Sequence, residues 1–274
     1  MSYIENLFGV KNKITVITGG SGILGGKIAE GFLKGGAKVI IIGTNQDKLD
    51  QKVKKLGKFS KNIYGMVCNV LKEEEVVNTN KSIVKKFERI DVLINAAGGQ
   101  IPGTTMNVKQ SVFDLKIEDF NKVTELNLSG TVLPTLIFGR TIAKQKSGSI
   151  INISSMASLR AITRVVGYSA AKAAVDNFTK WMAVEMALKF GDQIRVNSIA
   201  PGFFISDQNK NVLINKNGNL TERGKSIIKL TPFKRFGEPQ ELVGVSLFLA
   251  SNASKFITGT VIPVDGGFSV FSGV

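Results

Sequence analysis

Tyr168 and Lys172 open a segment with helical apolar spacing, and Ser154 and Ser155 lie just upstream, after the apolar run Ser149–Ile153. Their i,i+4 spacing puts a phenol and an ammonium on one helix face. A free tyrosine titrates near ~10. A cation beside it lowers that value and lets the phenol exchange a proton with a substrate oxygen. The Ser155 hydroxyl is placed to hold that oxygen. The chain contains no histidine, which excludes a Ser-His-Asp triad, a His-ligated zinc and an imidazole base. Acid–base work near neutral pH falls to Tyr, Lys, Asp, Glu or the single cysteine, Cys68. One cysteine also excludes an internal disulfide framework. Cys68 reads as core, and no metal site is expected.

A second chemical feature lies near the start. The run Ile14–Thr18 leads into Gly19-Gly20-Ser21-Gly22-Ile23-Leu24-Gly25-Gly26, and a helical pattern follows. Such a turn brings backbone close to a phosphate and aims a helix N-terminus at the anion. Its place between a first strand and a first helix makes it a dinucleotide turn. An oxidised nicotinamide bound there would join Lys172 in lowering the Tyr168 pKa. The next strand ends at Gly43-Thr44-Asn45, where a carboxylate would select NAD and an Arg would select NADP. Neither is present. Thr44, Asn45 and Lys48 suit either ribose, so the cofactor is NAD or NADP with no preference fixed here.

The elements that must position these groups alternate. Strand-like runs at Ile14–Thr18, Lys38–Ile42, Ile63–Val67, Asp91–Asn95, Ser149–Ile153, Ile194–Ile199 and Thr260–Val264 are separated by helical stretches. Continuous apolar strands such as Val39–Ile42 imply burial on both faces. Strand–helix alternation implies a parallel sheet covered by helices. The 274 residues therefore form one α/β domain over 1–274, a Rossmann-type doubly wound sheet. The polar stretch Ser206–Lys225 breaks the alternation and is expected to form part of a substrate lid around 203–230. The net charge of +15 comes from 29 Lys and 7 Arg against 21 acids. The lysines are spread along helical stretches without interleaved aromatics, so they read as a solvated surface attractive to anions, not as a nucleic-acid interface. No targeting signal or apolar run of ~20 residues is seen. A soluble, cytoplasmic protein with no membrane partner is expected.

Taken in order, the motifs resemble the short-chain dehydrogenase/reductase family over nearly the whole chain. Thr18–Gly25 is similar to its cofactor turn, with the middle glycine at 22, one position early. Asn69-Val70 stands where an Asp-Val pair is usual. Asn95-Ala96-Ala97-Gly98 matches the motif after the fourth strand, and Asn127 matches the Asn of an NxxG segment. Ser155, Tyr168 and Lys172 match the catalytic residues. Asn197, Pro201-Gly202 and Ser206 (usually Thr) match the strand and loop beside the nicotinamide, and Val264–Gly267 the C-terminal signature.

The resemblance implies a seven-stranded sheet in the order 3-2-1-4-5-6-7, usually a homotetramer, and hydride transfer to or from a carbonyl carbon. It implies that Tyr168 is the acid/base, Lys172 lowers its pKa and binds the nicotinamide ribose, Ser155 orients the oxygen, and Asn127 links Lys172 to solvent through water. The cofactor residues it implies are Gly19, Ser21, Gly22, Ile23, Leu24, Thr44, Asn69, Val70, Asn95, Ala96, Ala97, Gly98, Tyr168, Lys172, Pro201, Gly202 and Phe204. Within the family, PGFFISDQNKNVL and the tail FSVFSGV are similar to the D-mannonate oxidoreductase (fructuronate reductase) group. That implies an anionic sugar-acid substrate, D-fructuronate/D-mannonate first. The alternatives are another sugar-acid or deoxy-uronate reductase such as gluconate 5-dehydrogenase, or a 3-oxoacyl carrier-protein reductase. A dinucleotide sensor without activity is disfavoured because Tyr168 and Lys172 are both present.

A carboxylate substrate needs a cation or clustered donors. Arg164, between Ser155 and Tyr168, is the first candidate, ahead of Arg160. Gln100, Gln208 and Asn209 are candidates for sugar hydroxyls. The apolar tail Phe268–Val274 is expected to reach a neighbouring subunit.

Overall fold

The computed structural model describes residues 2–101, 103–206 and 209–274. Helix α1 (Tyr3–Phe8) precedes β1 (Ile14–Thr18), α2 (Ile23–Lys34), β2 (Lys38–Gly43), α3 (Gln46–Leu56), β3 (Ile63–Val67), α4 (Glu73–Phe87) and β4 (Val92–Asn95). The second half continues with α5 (Ile117–Thr124), a π-helical turn (Glu125–Ser129), α6 (Gly130–Gln145), β5 (Gly148–Ile153) and α7 (Val166–Phe190). It ends with β6 (Ile194–Pro201), α8 (Lys210–Leu213), α9 (Glu222–Leu230), α10 (Glu241–Ala250) and β7 (Val261–Val264).

The seven strands form one parallel sheet in the order β3-β2-β1-β4-β5-β6-β7. The expected fold and strand order are both found, and the predicted strand limits shift by at most two residues. The physical basis is plainest in β2. Successive side chains of a strand point to opposite faces. Val39 and Ile41 pack with Phe32, Leu242 and Leu249 on one side, while Ile40 and Ile42 pack with Ile83, Phe138 and Met182 on the other. A strand buried on both faces has no polar face to show, hence its unbroken apolar run. Each such side chain contributes about 1.5–3 kcal/mol of burial.

The reversal of strand order between β1 and β4 opens a crevice at the carboxyl ends of these strands, where α/β sheets bind ligands. Ser155 and the N-terminus of α7 lie past the end of neighbouring β5. Residues 203–230 carry two short helices, α8 and α9, and an antiparallel bridge between Ile214 and Leu220. The tail makes contacts within its own chain. Phe268 packs edge-on to Phe203 at 5.3 Å, and the Phe271 carbonyl accepts a bond from Arg160 at 3.1 Å. Val270 and Val274 are exposed. Among the described residues no helix is long and apolar enough to cross a membrane.

Candidate active site

The turn after β1 is built by backbone. Gly19 has φ +65°, and a Cβ there would lie 2.6 Å from the Ala96 carbonyl oxygen. A Cβ on Gly25 would lie 2.7 Å from the Gly19 carbonyl oxygen, so α2 starts hard against the turn. Thr18 Oγ1 accepts bonds from the Ala96 and Ala97 amides, both at 3.1 Å, which ties the turn to the segment after β4. The N-cap of α2 is Gly22, and no side chain caps the helix. The first-turn N–H groups thus have no side-chain acceptor, and the helix dipole adds positive potential. A glycine-walled cradle ending in uncapped donors fits a dinucleotide pyrophosphate.

At the ribose end, Asn45 Oδ1 caps α3 by accepting from the Lys48 amide at 2.9 Å, and Thr44 is exposed. Asn69 Oδ1 accepts from the Leu71 amide at 3.0 Å, holding a local turn. Val70 is buried in the core beneath it.

The catalytic candidates converge. Ser155 follows β5 and accepts from the Ala157 amide at 3.1 Å. Its hydroxyl is within hydrogen-bonding reach of the Tyr168 phenol. The Lys172 Nζ lies 5.7 Å from the centre of the Tyr168 ring and donates to the Ile153 carbonyl at 2.8 Å. Burial pushes the phenol of Tyr168 up, and the contact with Ser155 offsets part of this. Burial brings the buried Lys172 down to about 8, against the opposing charge of Asp176. In the protein alone, then, desolvation governs both groups. The lowering of Tyr168 expected from Lys172 is not seen in this state; burial raises the phenol because a phenolate in a dry pocket loses its hydration, and only the Ser155 contact works against it.

Asn127 is fully buried within the π-helical turn. Its Oδ1 accepts from the Gly99 amide at 2.8 Å, and its Nδ2 donates to the Gly99 and Val123 carbonyls, both at 2.9 Å. Gly98 lies between it and the lysine: a Cβ there would be 2.7 Å from Asn127 Oδ1 and 3.5 Å from Lys172 Nζ. The amide of Asn127 is thus spent on protein. A wide turn in a helix is a frequent device at functional sites because it frees backbone from the ladder.

Below lies a buried polar ladder that local sequence pattern does not reveal. Asn95 Nδ2 donates to Thr135 Oγ1 and Asn152 Oδ1, both at 2.8 Å, and Asn152 Nδ2 donates to Thr179 Oγ1 at 2.9 Å. Asp176, buried on α7, accepts from Ser158 and, at 3.2 Å, from Ser198. It ties the Ser155 loop and β6 to α7. These side chains look ordinary in sequence because bonded partners sit on different elements.

The substrate candidates divide. Arg164 has φ +76°, its Nε donates to the Met106 carbonyl, and its own carbonyl accepts from the Met106 amide at 3.1 Å. That exchange sets the loop before Tyr168 against the segment after β4. Gln100 Nε2 donates to Thr104 Oγ1 at 2.9 Å, leaving its buried Oε1 without a protein partner. Asn209 spends its amide on the loop instead: Oδ1 accepts from the Ser206 amide and Nδ2 donates to the Phe204 carbonyl, both at 2.8 Å. Phe204 is a core residue whose ring packs on Gly237. Gly202, beside it, donates to the Val264 carbonyl at 2.9 Å, which fixes Pro201–Gly202 at the sheet edge. Gln208 lies outside the described residues. Sequence reasoning missed Arg223 on α9, which donates to the hydroxyl and carbonyl of Thr163, each at 3.2 Å. The scarcity of arginine among so many lysines was the one available signal.

A dinucleotide cradle joined to a Ser–Tyr–Lys centre defines a nicotinamide-dependent oxidoreductase acting on a CH–OH group. Residues 20–269 match a family model described as enoyl-(acyl carrier protein) reductase. An uncharacterized oxidoreductase of Bacillus subtilis is 40% identical, covering 98% of each chain. A 3-oxoacyl-[acyl-carrier-protein] reductase of Synechocystis is 34% identical, covering 94% of this chain and 98% of the relative. Among solved structures, a Haemophilus influenzae protein with bound NAD, provisionally named a D-mannonate oxidoreductase, superposes with a TM-score of 0.89 at 37% identity. That match covers 97% of this chain and 98% of the other. The chain belongs to the short-chain dehydrogenase/reductase family, and it uses a nicotinamide cofactor.

Proposed function

We propose that the protein reversibly reduces the keto group of a hexuronic acid, D-fructuronate to D-mannonate in the first instance. The observation that carries this reading is the group-specific sequence PGFFISDQNKNVL and FSVFSGV, together with 37% identity to the Haemophilus protein across nearly the whole chain. When bound, the nicotinamide supplies or accepts the hydride.

The chain's own residues do the rest. Tyr168 gives its phenolic proton to the carbonyl oxygen during reduction and takes it back during oxidation. A phenol that burial keeps protonated is suited to the first task, and the Ser155 hydroxyl holds the oxygen in line with it. Lys172, still charged at pH 7 with its pKa near 8, stabilises the phenolate left behind. Asn127 acts through backbone in this scheme, since its amide is committed to Gly99. The turn Gly19–Leu24 holds the pyrophosphate, Thr44 and Asn69-Val70 border the adenosine half, and Asn95–Gly98 with Pro201–Gly202 border the nicotinamide. Residues 203–230 act as the lid. Exposed Trp181, Val184 and Leu188 on α7 support assembly as a cytoplasmic homotetramer.

A second reading, 3-oxoacyl carrier-protein reduction, is favoured by the Synechocystis relative. A 2-dehydro-3-deoxy-D-gluconate 5-dehydrogenase of Formosa agariphila, 33% identical over 96% of this chain, supports a neighbouring sugar-acid substrate. Reductase assays with NADH and NADPH across keto-uronates, keto-gluconates and an acetoacetyl thioester decide among them. The highest kcat/KM is expected on a keto-uronate. Efficient thioester reduction with no turnover of any keto-uronate overturns the sugar-acid reading.

A further inference from the structure

We propose that Arg164 and Arg223 together form a carboxylate site at the rim of the catalytic crevice, a two-arginine clamp for a hydroxylated acid. The inference rests on the sugar-acid reading above and adds a residue from the lid to it. Arg223 lies in the first turn of α9 and bonds to Thr163, the immediate neighbour of Arg164. The lid thereby delivers a second guanidinium to the loop that precedes Tyr168.

Both arginines are anchored by uncharged groups: Arg164 by the Met106 carbonyl, Arg223 by the hydroxyl and carbonyl of Thr163. Among the described residues neither pairs with a carboxylate, whereas Arg89 and Arg235 do, with Asp91 and Glu241. Two half-buried like charges repel. Burial and then the charge of Arg164 hold Arg223 below the usual arginine range. An anion between them relieves that repulsion, and a planar carboxylate matches the guanidinium fork. A lysine-rich protein that uses arginine at only seven positions has placed two of them here.

Gln100, on the segment that faces Arg164, carries a buried oxygen without a protein partner. Thr104 donates its hydroxyl hydrogen to the Ile101 carbonyl at 2.7 Å, so it can only accept from Gln100 Nε2. The orphan on Gln100 is therefore its carbonyl oxygen, an acceptor. Gln100 sits on the segment that Met106 joins to Arg164.

The test is equilibrium calorimetry on the protein saturated with reduced cofactor, which cannot accept hydride from D-mannonate, using D-mannonate and its neutral counterpart D-mannitol as probes. Arg223→Gln is expected to weaken D-mannonate binding about tenfold or more, with Arg223→Lys recovering part of the loss. Mannitol affinity should change much less in both. In turnover, the loss should fall on KM for a keto-uronate more than on kcat. Equal losses for mannonate and mannitol reduce Arg223 to a staple between α9 and Thr163 and overturn the clamp. Undiminished mannonate binding in Arg223→Gln, or no mannonate binding by the unaltered protein, also overturns it. Charge-selective binding without turnover of any keto-uronate leaves the clamp standing and removes the proposed reaction. Keto-uronate turnover with losses blind to charge does the reverse.

Discussion

The turn at Gly19–Gly25 and the clamp proposed around Arg164 would each receive an anion, by opposite means. In the turn the donors are backbone amides, the walls are glycines, and neighbouring residues in sequence make the whole cradle. Any Cβ at Gly19 meets backbone of the next strand's loop, which cannot move aside. At the proposed clamp the donors are two long side chains from distant segments, each held by a hydrogen bond to another segment: Arg164 to the Met106 carbonyl and Arg223 to Thr163. A backbone site is rigid and intolerant of change. A side-chain site is adjustable, and changes in it should be graded and dependent on the ligand's charge.

The sharpest way to separate the two regions is to silence the chemistry itself. Tyr168→Phe removes the proton carrier and little volume. Turnover should fall ~100-fold or more while both anion sites keep their ligands. Steady-state rates with calorimetry of cofactor binding check this. Near-normal turnover removes the acid/base assignment.

Gly19→Ala comes next in size. A left-handed residue with a Cβ costs about 1–2 kcal/mol before the clash with Ala96 is counted. Cofactor affinity is expected to drop on the order of tenfold or more, and thermal stability to fall with it. Fluorescence titration with NADH and a melting curve read both effects. A variant that binds cofactor as well as before would show that the turn tolerates adjustment and would erase the contrast with the rim.

The smallest expected effect tests whether side chains matter anywhere on the cofactor side. Gly43→Asp should disfavour NADP by repelling its 2′-phosphate, and Thr44→Arg should favour it, each by several-fold to about tenfold in the ratio of kcat/KM values. The Asp Cβ would lie 2.9 Å from Ser21 Oγ, a hydroxyl that can rotate away. An unchanged ratio in both variants places the ribose pocket elsewhere.

Sequence alone determined the sheet, because each central strand is buried on both faces and cannot hide its apolar run. It determined the cofactor turn, since left-handed and closely approached positions select glycine, and glycine is visible in the sequence. It determined that Tyr168 and Lys172 share a helix face, because a helix has a fixed period. Tertiary structure alone decided what surrounds them. The ladder Asn95–Asn152–Thr179, the hold of Asp176 on Ser158 and Ser198, and the meeting of Arg223 with Thr163 each join elements that no local period relates. Tertiary structure also decided that the Asn209 amide closes a loop turn and that the Phe204 ring packs in the core. Local rules of backbone geometry act over a few residues and leave a mark in residue type. Pairings between distant side chains depend on how the elements pack, and packing leaves no such mark on any one residue.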